Sequence, residues 1–295
     1  MTILLRVVDR GSFSAASREL GIPLATVSRK VGELEGHLGA RLLTRTTRKV
    51  TMTDAGATYV ASARRILEEI DETERVAAGE FHAPRGELVV TAPIFFGRLH
   101  ILPVISDFLA AYPEINVRLV LADRNLHLLD DHVDMAMRIG SLPDSSMVAT
   151  RIGSMRTVVC ASPTLIAAYG EPAAPEDLAS LPSVNFDFLS PASVWPFAQK
   201  DAKGAIEAPI RPRLSVSTAE AAVSAAVRGV GATRVLHYQC ADAVRDGLLR
   251  IILADFEIEP LPVHLMHAGH GALPSKMRVF LDFAAGRLRD RLMSL

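Results

Sequence analysis

Hydroxyl and basic side chains with the chemistry of nucleic-acid contacts lie in two short stretches near the start of the chain. The first stretch contains Thr26, Ser28, Arg29 and Lys30, and the second covers residues 45–49. Arginine and lysine pair with phosphate oxygens and guanine edges, and hydroxyl groups donate to phosphate. Because a basic helix face is often only solvated, these residue types alone leave nucleic-acid binding and simple solvation both open.

The first part of the chain is basic, whereas the remainder is acidic. Residues 1–53 contain nine Lys and Arg but only four Asp and Glu, which gives a net charge of +5. The 295-residue chain has a net charge of −1, so the residues after 53 carry −6. This distribution favours a protein that meets phosphate with one small part only.

Two short amphipathic helices joined by a sharp turn are predicted to position the first stretch. Gly21 is expected just past the end of the first helix, and Pro23 at the first position of the second. Apolar residues three and four apart form the inner faces: Phe13, Ala16 and Leu20 in the first helix, and Val27, Val31, Leu34 and Leu38 in the second. The basic residues lie on the opposite face, so the pattern predicts a helix-turn-helix whose second helix suits a DNA major groove.

The second stretch lies at the tip of a predicted β-hairpin over residues 41–53. Arginine forks and threonine hydroxyls at such a tip suit phosphate oxygens and a narrow minor groove. The two stretches together predict a winged helix-turn-helix over residues 1–53. Its predicted DNA-binding residues are Thr26, Ser28, Arg29, Lys30, Arg45, Thr46, Thr47 and Arg48.

Residues 11–58 closely resemble the N-terminal domain of LysR-type transcriptional regulators. The matching stretches include Gly11-Ser12-Phe13-Ser14-Ala15-Ala16, Val27-Ser28-Arg29, Arg45-Thr46-Thr47-Arg48 and Thr53-Asp54-Ala55-Gly56. Family members usually carry Ser-Gln-Pro where this chain has Pro23-Leu24-Ala25, so readout at Leu24 is expected to be apolar, as with a thymine methyl. The chain also begins later than is usual, so either Met1 is not the natural start or the first helix is short.

A long helix is predicted to follow, capped by Thr53 and running to about residue 79. Apolar and small residues repeat along it with heptad spacing, at Tyr59, Ala63, Ile66, Ile70, Thr73 and Ala77, with Val60 and Leu67 beside them. Such a seam packs either on the chain's own body or on the same helix of a second subunit. We expect a homodimer through this seam (Tyr59, Ala63, Ile66 and Ile70), and the family resemblance implies a homotetramer.

Residues 83–295 are predicted to form an α/β domain with two lobes. Strands and helices alternate, and a late strand at 262–266 returns toward a final helix at 276–292. The expected division is a linker helix over 54–82, lobe I over about 86–158 and 262–295, and lobe II over about 159–261. This body resembles the LysR-type effector domain, which is similar in fold to periplasmic solute-binding proteins.

A small molecule is expected between the lobes, where strand ends and helix N-termini offer spare backbone N–H groups. Thr91 and Thr218 are candidate helix caps, the latter in the capping-box sequence Ser217-Thr218-Ala219-Glu220. Such groups favour a carboxylated or otherwise anionic effector, although ordinary caps would look the same in sequence. The expected effector-binding residues are Thr91, Pro93, Arg138, Ile139, Asn185 and Thr218.

Several other patterns are weaker. Gly229-Val230-Gly231 follows a predicted helix and indicates a helix end rather than a dinucleotide site. His264, His267 and His270 lie on a predicted strand and turn, where residues three apart face opposite sides, so no metal is expected. Cys160 and Cys240 are expected to be packed thiols, and no cofactor is expected. Arg234 interrupts an apolar run and either pairs with an acid or reaches the cleft.

The sequence favours a ligand-responsive, DNA-binding transcriptional regulator over two other classes. A solute-binding or carrier protein fits the two-lobed body but has no use for a basic winged helix. An enzyme is not expected, because we find no catalytic constellation such as a nucleophile elbow or a phosphate loop. No apolar run long enough for a membrane span is evident, so a cytoplasmic protein is expected, with promoter DNA, a small effector and RNA polymerase as candidate partners.

Overall fold

The computed structural model describes residues 1–45, 50–77, 83–123, 133–142, 147–187, 189, 193–199, 204–268 and 273–293. The chain divides into two compact units, Met1–Gly86 and Glu87–Leu295. The first unit is helical with one small hairpin, and the second contains two five-stranded sheets.

The first unit contains a helix-turn-helix. Its helices are α1 (Thr2–Arg10), α2 (Phe13–Leu20), α3 (Leu24–Leu38) and α4 (Asp54–Ala77), and the hairpin strands are β1 (Leu43–Arg45) and β2 (Val50–Met52). Gly21 ends α2 in the left-handed conformation with φ 65°, which glycine adopts without strain. Pro23 is the N-cap of α3 rather than its first residue, so the predicted helix start was early by one position.

One face of each helix packs into the core of this unit. Val27 and Val31 of α3 are 0% and 1% exposed, as the predicted inner face requires. Leu38 is 40% exposed, contrary to that prediction, because α3 ends there at Gly39. Val60 and Ala63 of α4 lie in the same core and are 4% and 1% exposed.

The first sheet of the second unit has the strand order β4-β3-β5-β14-β6. Its strands are β3 (Gly86–Ala92), β4 (Ile115–Leu121), β5 (Met135–Ile139), β6 (Met147–Met155) and β14 (Leu261–Ala268). Strands β3 and β5 are parallel, whereas β14 runs antiparallel to both β5 and β6. Strand β6 is not predicted from the sequence. The sequence predicts a short helix through Leu126 and Leu129 after β4, and these residues lie outside the described ones.

The second sheet has the strand order β11-β8-β12-β7-β13. Its strands are β7 (Thr157–Ala161), β8 (Pro182–Phe186), β11 (Arg211–Val216), β12 (Ala232–Leu236) and β13 (Arg250–Ile252). A separate antiparallel hairpin, β9 (Val194–Ala198) and β10 (Ala205–Pro209), lies beside this sheet. Lobe I and lobe II denote the two sheets with their helices. The chain passes between them at Arg156 and again through residues 253–260.

Helices cover both sheets. They are α5 (Ile94–Phe96), α6 (Leu102–Ala111), α7 (Pro163–Tyr169), α8 (Ala219–Val227), α9 (His237–Arg245) and α10 (Ser275–Met293). A π-helical turn, Gly97–Ile101, joins α5 and α6 into one continuous helix. Residues Ile94–Ala111 are long and apolar enough to span a membrane by length and composition alone, contrary to the expectation from the sequence. The apolar face of this helix, with Phe96, Val104 and Phe108, packs in the lobe I core.

Candidate DNA-binding face and effector site

The outer face of α3 carries the residues predicted to contact DNA. Thr26 and Ser28 are partly exposed, and Arg29 and Lys30 are exposed. Leu24 is 46% exposed at the start of the helix, so an apolar group is available there for a thymine methyl. Arg29 and Lys30 therefore lie on the accessible side of α3, and Thr26 and Ser28 are partly exposed on either side of the buried Val27.

Glu33 holds the two cations of α3. Arg29 Nη1 lies 2.7 Å from Glu33 Oε1, and Lys30 Nζ lies 3.0 Å from Glu33 Oε2. The hydrogen bond from Lys30 lowers the pKa of Glu33, and the neighbouring charge of Arg29 adds to this effect. All three side chains are about half exposed, so the pairs are weak and phosphate can compete for either cation.

Two side chains fix the wing, which is the hairpin of β1 and β2, to the helices. Glu35 Oε1 accepts from the backbone N–H groups of Leu42 and Leu43, at 2.8 and 3.0 Å, which ties α3 to β1. Thr53 Oγ1 accepts from Gly56 N at 2.9 Å and donates to Arg41 O at 2.7 Å, so the predicted cap of α4 is confirmed. The predicted tip residues Thr46, Thr47 and Arg48 lie outside the described residues, as does the side chain of Arg45.

The heptad seam of α4 divides into two parts. Ala63 is buried in the core of the first unit, and Tyr59 packs against the same core. Ile66 and Ile70 are 39% and 46% exposed, although both are large and apolar. In its first turns the seam packs against the core of the first unit. Further along the helix, it leaves an accessible apolar face.

The helix that follows β3 is capped differently from the prediction. Pro93 is its N-cap residue, and the backbone N–H of Ile94 donates to Asp123 Oδ1 at 3.0 Å. Thr91 is fully buried, and its hydroxyl donates to Val120 O at 2.9 Å. Thr91 therefore joins β3 to β4 rather than capping the helix, because the helix starts two residues further on.

Thr218 is the N-cap of α8, as predicted, and its hydroxyl accepts from Ala221 N at 3.3 Å. Glu220 does not complete a capping box. Its Oε1 lies 2.6 Å from Nη2 of Arg98, which belongs to the π-helical turn of lobe I. The Arg98 guanidinium also lies 5.0 Å from the centre of the Phe95 ring. An ion pair thus joins the first turn of α8 in lobe II to the first helix of lobe I.

The remaining predicted effector residues have internal contacts. Asn185 is 4% exposed, accepts from Trp195 Nε1 at 3.4 Å and donates to Asp187 Oδ1 at 3.1 Å. Arg138 is partly buried, and burial lowers its pKa. Ile139 packs against the lobe I core. The structure therefore brings Pro93 and Thr218 to helix N-termini, and it holds Thr91 and Asn185 in structural hydrogen bonds.

Two side chains of lobe II, which we call the Tyr238 plug, pack in the core of lobe I: Leu236 and Tyr238. Leu236 and Tyr238, at the junction of β12 and α9, are 6% and 4% exposed within the lobe I cluster. The Tyr238 ring packs edge-on against Phe96 and His100. Burial raises the pKa of Tyr238, so its hydroxyl stays protonated. Local sequence patterns do not predict this contact or the roles of Arg98, Asp123 and Glu220, because each of these contacts joins residues far apart along the chain.

The structure also locates the residues of the weaker sequence patterns. Gly229 follows α8 with φ 77°, as a helix end requires. Gly231 has a second role, because a Cβ there would lie 2.7 Å from Pro182 O. His264 and His267 lie on β14, and His270 lies outside the described residues. Cys160 and Cys240 are free and buried. Arg234 is 5% exposed in β12.

Comparisons with known proteins agree with this architecture. Residues 1–57 match the model of the bacterial regulatory helix-turn-helix protein, LysR family, and residues 82–289 match the LysR substrate binding domain. An HTH-type transcriptional regulator of Xanthomonas campestris is 37% identical over 97% of this chain and 84% of its own length. An HTH-type transcriptional repressor of Pseudomonas aeruginosa is 34% identical over 96% of this chain and 89% of its own.

Among solved structures, CrgA, a LysR-type transcriptional regulator from Neisseria meningitidis, is similar over 97% of both chains, with 31% identity and a TM-score of 0.61. The fold and the site define a winged helix-turn-helix regulator with a ligand-binding body. The chain belongs to the LysR family of bacterial transcriptional regulators. It is a DNA-binding regulator with an effector-binding domain, and proteins of this class are not enzymes.

Proposed function

We propose that the protein recognises its operator with the outer face of α3 and grips the flanking backbone with the wing. Thr26, Ser28, Arg29 and Lys30 contact the major groove, and Arg45, Thr46, Thr47 and Arg48 contact phosphate and the minor groove. The observation that carries this proposal is the accessible α3 face, which bears two exposed cations opposite buried valines. Base contacts from α3 specify sequence, whereas wing contacts add affinity for any duplex.

We propose homodimerisation through the exposed part of the α4 seam. Ile66 and Ile70 support this, because two large apolar side chains on one exposed helix face are best buried by a second copy of that face. Paired heads would then meet two half-sites on one side of the duplex. The family resemblance extends the proposal to a homotetramer, to RNA polymerase as a further partner and to a cytoplasmic location.

We propose that a small carboxylated effector binds where the helix beginning at Ile94 and α8 meet. The ion pair of Arg98 and Glu220 supports this, since a carboxylate already occupies the guanidinium across the boundary between the lobes. An effector carboxylate that replaces Glu220 on Arg98 gains a charge-assisted bond and releases Glu220. Pro93, Arg138, Ile139 and Thr218 remain the expected surroundings, while Thr91 and Asn185 act by holding their strands.

Effector binding would then shift the population of lobe arrangements. Replacing the Arg98 to Glu220 contact changes a bond that joins the lobes, so the effector has a different affinity for the two arrangements. The altered lobe angle changes subunit packing and thereby the bend imposed on the operator. The free energy by which the effector can shift this equilibrium is limited to the difference between its binding free energies for the two lobe arrangements.

A gel-shift assay with the DNA that flanks the gene, repeated with a panel of organic acids, tests the proposed DNA contact and the proposed effector site. We expect a retarded complex with the wild-type protein alone and a changed pattern with one or more acids. Thermal shift with the same panel should show a response that Arg98→Gln loses and Arg213→Gln, on an exposed edge strand, retains. An equal response from both variants would contradict the placement of the effector site but not the DNA contact.

A further inference from the structure

Three basic side chains lie side by side on one face of the first sheet. His264 of β14 lies opposite Arg138 of β5 on one side and opposite Arg151 of β6 on the other. Directly opposite residues in an antiparallel pair project to the same face of a sheet. These three residues, which we call the basic row, therefore span two strand spacings, or about 10 Å.

The basic row lies on the face of the sheet that is turned away from α6 and α10. Val263 and Leu265, which flank His264 along β14, are buried in the lobe I core with those two helices. Since successive residues of a strand face opposite sides, His264 faces away from that core. The sheet therefore separates the basic row from the helix that carries Arg98. Arg138 is the one member of the row that is also expected near the effector site.

A β-bulge in β6 brings a further polar group to this face. The register of β6 against β14 shifts between Val263 and His264. Beyond the shift, Ser154 lies opposite Pro262, which is two residues from His264 and shares its face. In a regular strand Arg151 and Ser154 would face opposite sides, and the extra residue of the bulge places them on the same side. The basic row thus has an exposed hydroxyl beside it, at a kind of irregularity that often adjoins functional sites.

The charge of Arg151 is not balanced by an acid. Arg151 is exposed and forms no ion pair with any residue that the structure describes. Its Nε donates to Gly153 O at 3.5 Å, a long bond within the same strand. Like charges directly opposite each other on neighbouring strands are destabilising. An anion placed over β6 and β14 would offset this repulsion.

His264 offers one ring nitrogen to such an anion. Its Nδ1 atom is buried with no hydrogen-bond partner among the described residues, which leaves Nε2 as the nitrogen available to a ligand. Burial lowers the pKa of His264, and the charge of Arg151 acts in the same direction. A bound anion opposes the effect of Arg151 and favours a proton on the imidazole.

The charges and donors of the basic row favour a dianion. With a proton on the imidazole, His264 and Arg151 carry two positive charges, and Arg138 adds positive potential from the other side. Arg138 keeps its own contacts, among them a hydrogen bond from Nη1 to Met137 O at 3.1 Å. A phosphate monoester group carries about 1.5 to 2 negative charges at pH 7, more than a single carboxylate does. Arginine forks and hydroxyl groups both suit phosphate oxygens.

We propose that the basic row binds a phosphate dianion, as inorganic phosphate or as the phosphate group of a small monoester. The phosphate oxygens accept from the Arg151 guanidinium and from Nε2 of His264, and the Ser154 hydroxyl supplies a further donor beside them. This site is distinct from the carboxylate site proposed at Arg98, so either ligand binds without the other.

A phosphate at this place would join the two strands that lead into the passages between the lobes. Strand β6 ends at Met155, directly before the first passage, and β14 begins at Leu261, directly after the second. A ligand held by Arg151 and His264 bridges these two strands. We therefore expect a bound phosphate to bias the lobe arrangement.

Histidine NMR of the full chain tests this site, with methyl phosphate as the monoester and inorganic phosphate as the free ion. The imidazole signal that His264→Asn lacks reports binding at this position, so phosphate bound by the basic first unit does not interfere. We expect that signal to shift in a saturable manner with either compound, and the tighter of the two identifies the source. Dimethyl phosphate keeps the tetrahedral group with a single charge and should bind at least about tenfold more weakly. Equal affinities for the two esters at constant ionic strength, or no shift with any phosphate, would overturn the proposal.

Variants of exposed arginines locate the ligand. Arg151→Gln should weaken the phosphate affinity measured at the His264 signal at least about fivefold, because one charge-assisted contact is lost. Arg118→Gln is the matched control, at an exposed residue of β4, the other edge strand of this sheet, about 19 Å away by strand spacing. It should leave the affinity unchanged. An Arg151→Gln protein that binds phosphate as tightly as the wild type, or equal weakening by both variants, would show that phosphate does not lie at the basic row.

Discussion

At the scale of single residues, we expect the exposed side chains of α3 to decide which sequences the protein recognises. Arg29 is exposed on α3 and forms a weak pair with Glu33, so it can exchange that partner for a base edge. A bidentate arginine contact to guanine discriminates by about 1–3 kcal/mol against the wrong base. The neighbouring Val27 and Val31 fix the helix and carry no sequence information.

Replacing Arg29 by alanine should therefore relax sequence preference. We expect the ratio of affinities for operator and scrambled DNA to fall by about tenfold or more, since one base contact is lost. Competition binding at fixed salt measures this ratio. Arg213→Ala, which removes an equal charge from the second unit, should leave the ratio unchanged. If Arg29→Ala discriminates as well as the wild type, Arg29 is not a base contact.

His100 makes the stability of the second unit sensitive to acid. It is 8% exposed within the lobe I core, and its Nε2 has no hydrogen-bond partner among the described residues. Burial lowers its pKa below the ordinary 6.5, and the charge of Arg291 acts in the same direction. The unfolded chain then binds more protons below that pH, so stability present at pH 7.5 is lost as pH falls through 6.5.

The variant His100→Phe should lose less stability between pH 7.5 and pH 5.5 than the wild type does. Phenylalanine keeps the ring packing with Phe96 and Tyr238 and removes the titrating group. Burial lowers the pKa of His237 and His264 as well, so part of the acid sensitivity should remain. Fluorescence of Trp195, the single tryptophan, follows the unfolding. An unchanged loss of midpoint temperature would refute the role of His100.

At the scale of elements, close backbone approaches constrain the strands. Gly231 precedes β12, and a Cβ there would lie 2.7 Å from Pro182 O and from Ser183 Cα. Gly231→Ala should therefore destabilise the protein by about 1–3 kcal/mol, through a shift of β12 against β8. Urea unfolding followed by Trp195 fluorescence measures this. Gly204→Ala, whose added Cβ would meet only Gln199 Oε1 at 3.9 Å, is the matched control and should change stability little.

The exposed half of α4 should determine the association state. Ile66→Glu with Ile70→Glu places two charges on the proposed dimer face, and burying them unpaired is costly. Sedimentation velocity should show a shift of the double variant toward monomer. Leu248→Glu, at a residue that is 50% exposed in the second unit, should keep the wild-type state. A double variant that sediments like the wild type would place the subunit contact on another surface.

Local sequence patterns were enough for the elements that depend on near neighbours. The turn at Gly21, the inner face of α3 and the cap at Thr53 each follow from residues within a few positions. Contacts between residues far apart along the chain cannot be predicted from such local patterns. Asp123 caps a helix 29 residues away, and Arg98 meets Glu220 across 122 residues. The candidate effector site consists mostly of such contacts, so local sequence patterns do not predict Arg98 there.

At the scale of the whole molecule, the basic DNA-binding part and the effector-binding part of the chain are separate compact units. Within the body, Arg98 with Glu220 joins the lobes at one place, and Arg156 with Glu257 joins the two passages at another. The Tyr238 plug adds a third, apolar contact. We expect a change of lobe angle to alter these three contacts.

The central claim is that the first unit binds duplex DNA through its cationic face. Fluorescence anisotropy with a labelled duplex from the region flanking the gene, measured over a series of salt concentrations, tests it most directly. We expect the logarithm of the affinity to fall linearly with the logarithm of salt concentration, and Arg48→Ala to reduce the slope by about one unit. An affinity that does not change with salt, or no binding to the flanking duplex at low salt, would contradict the account.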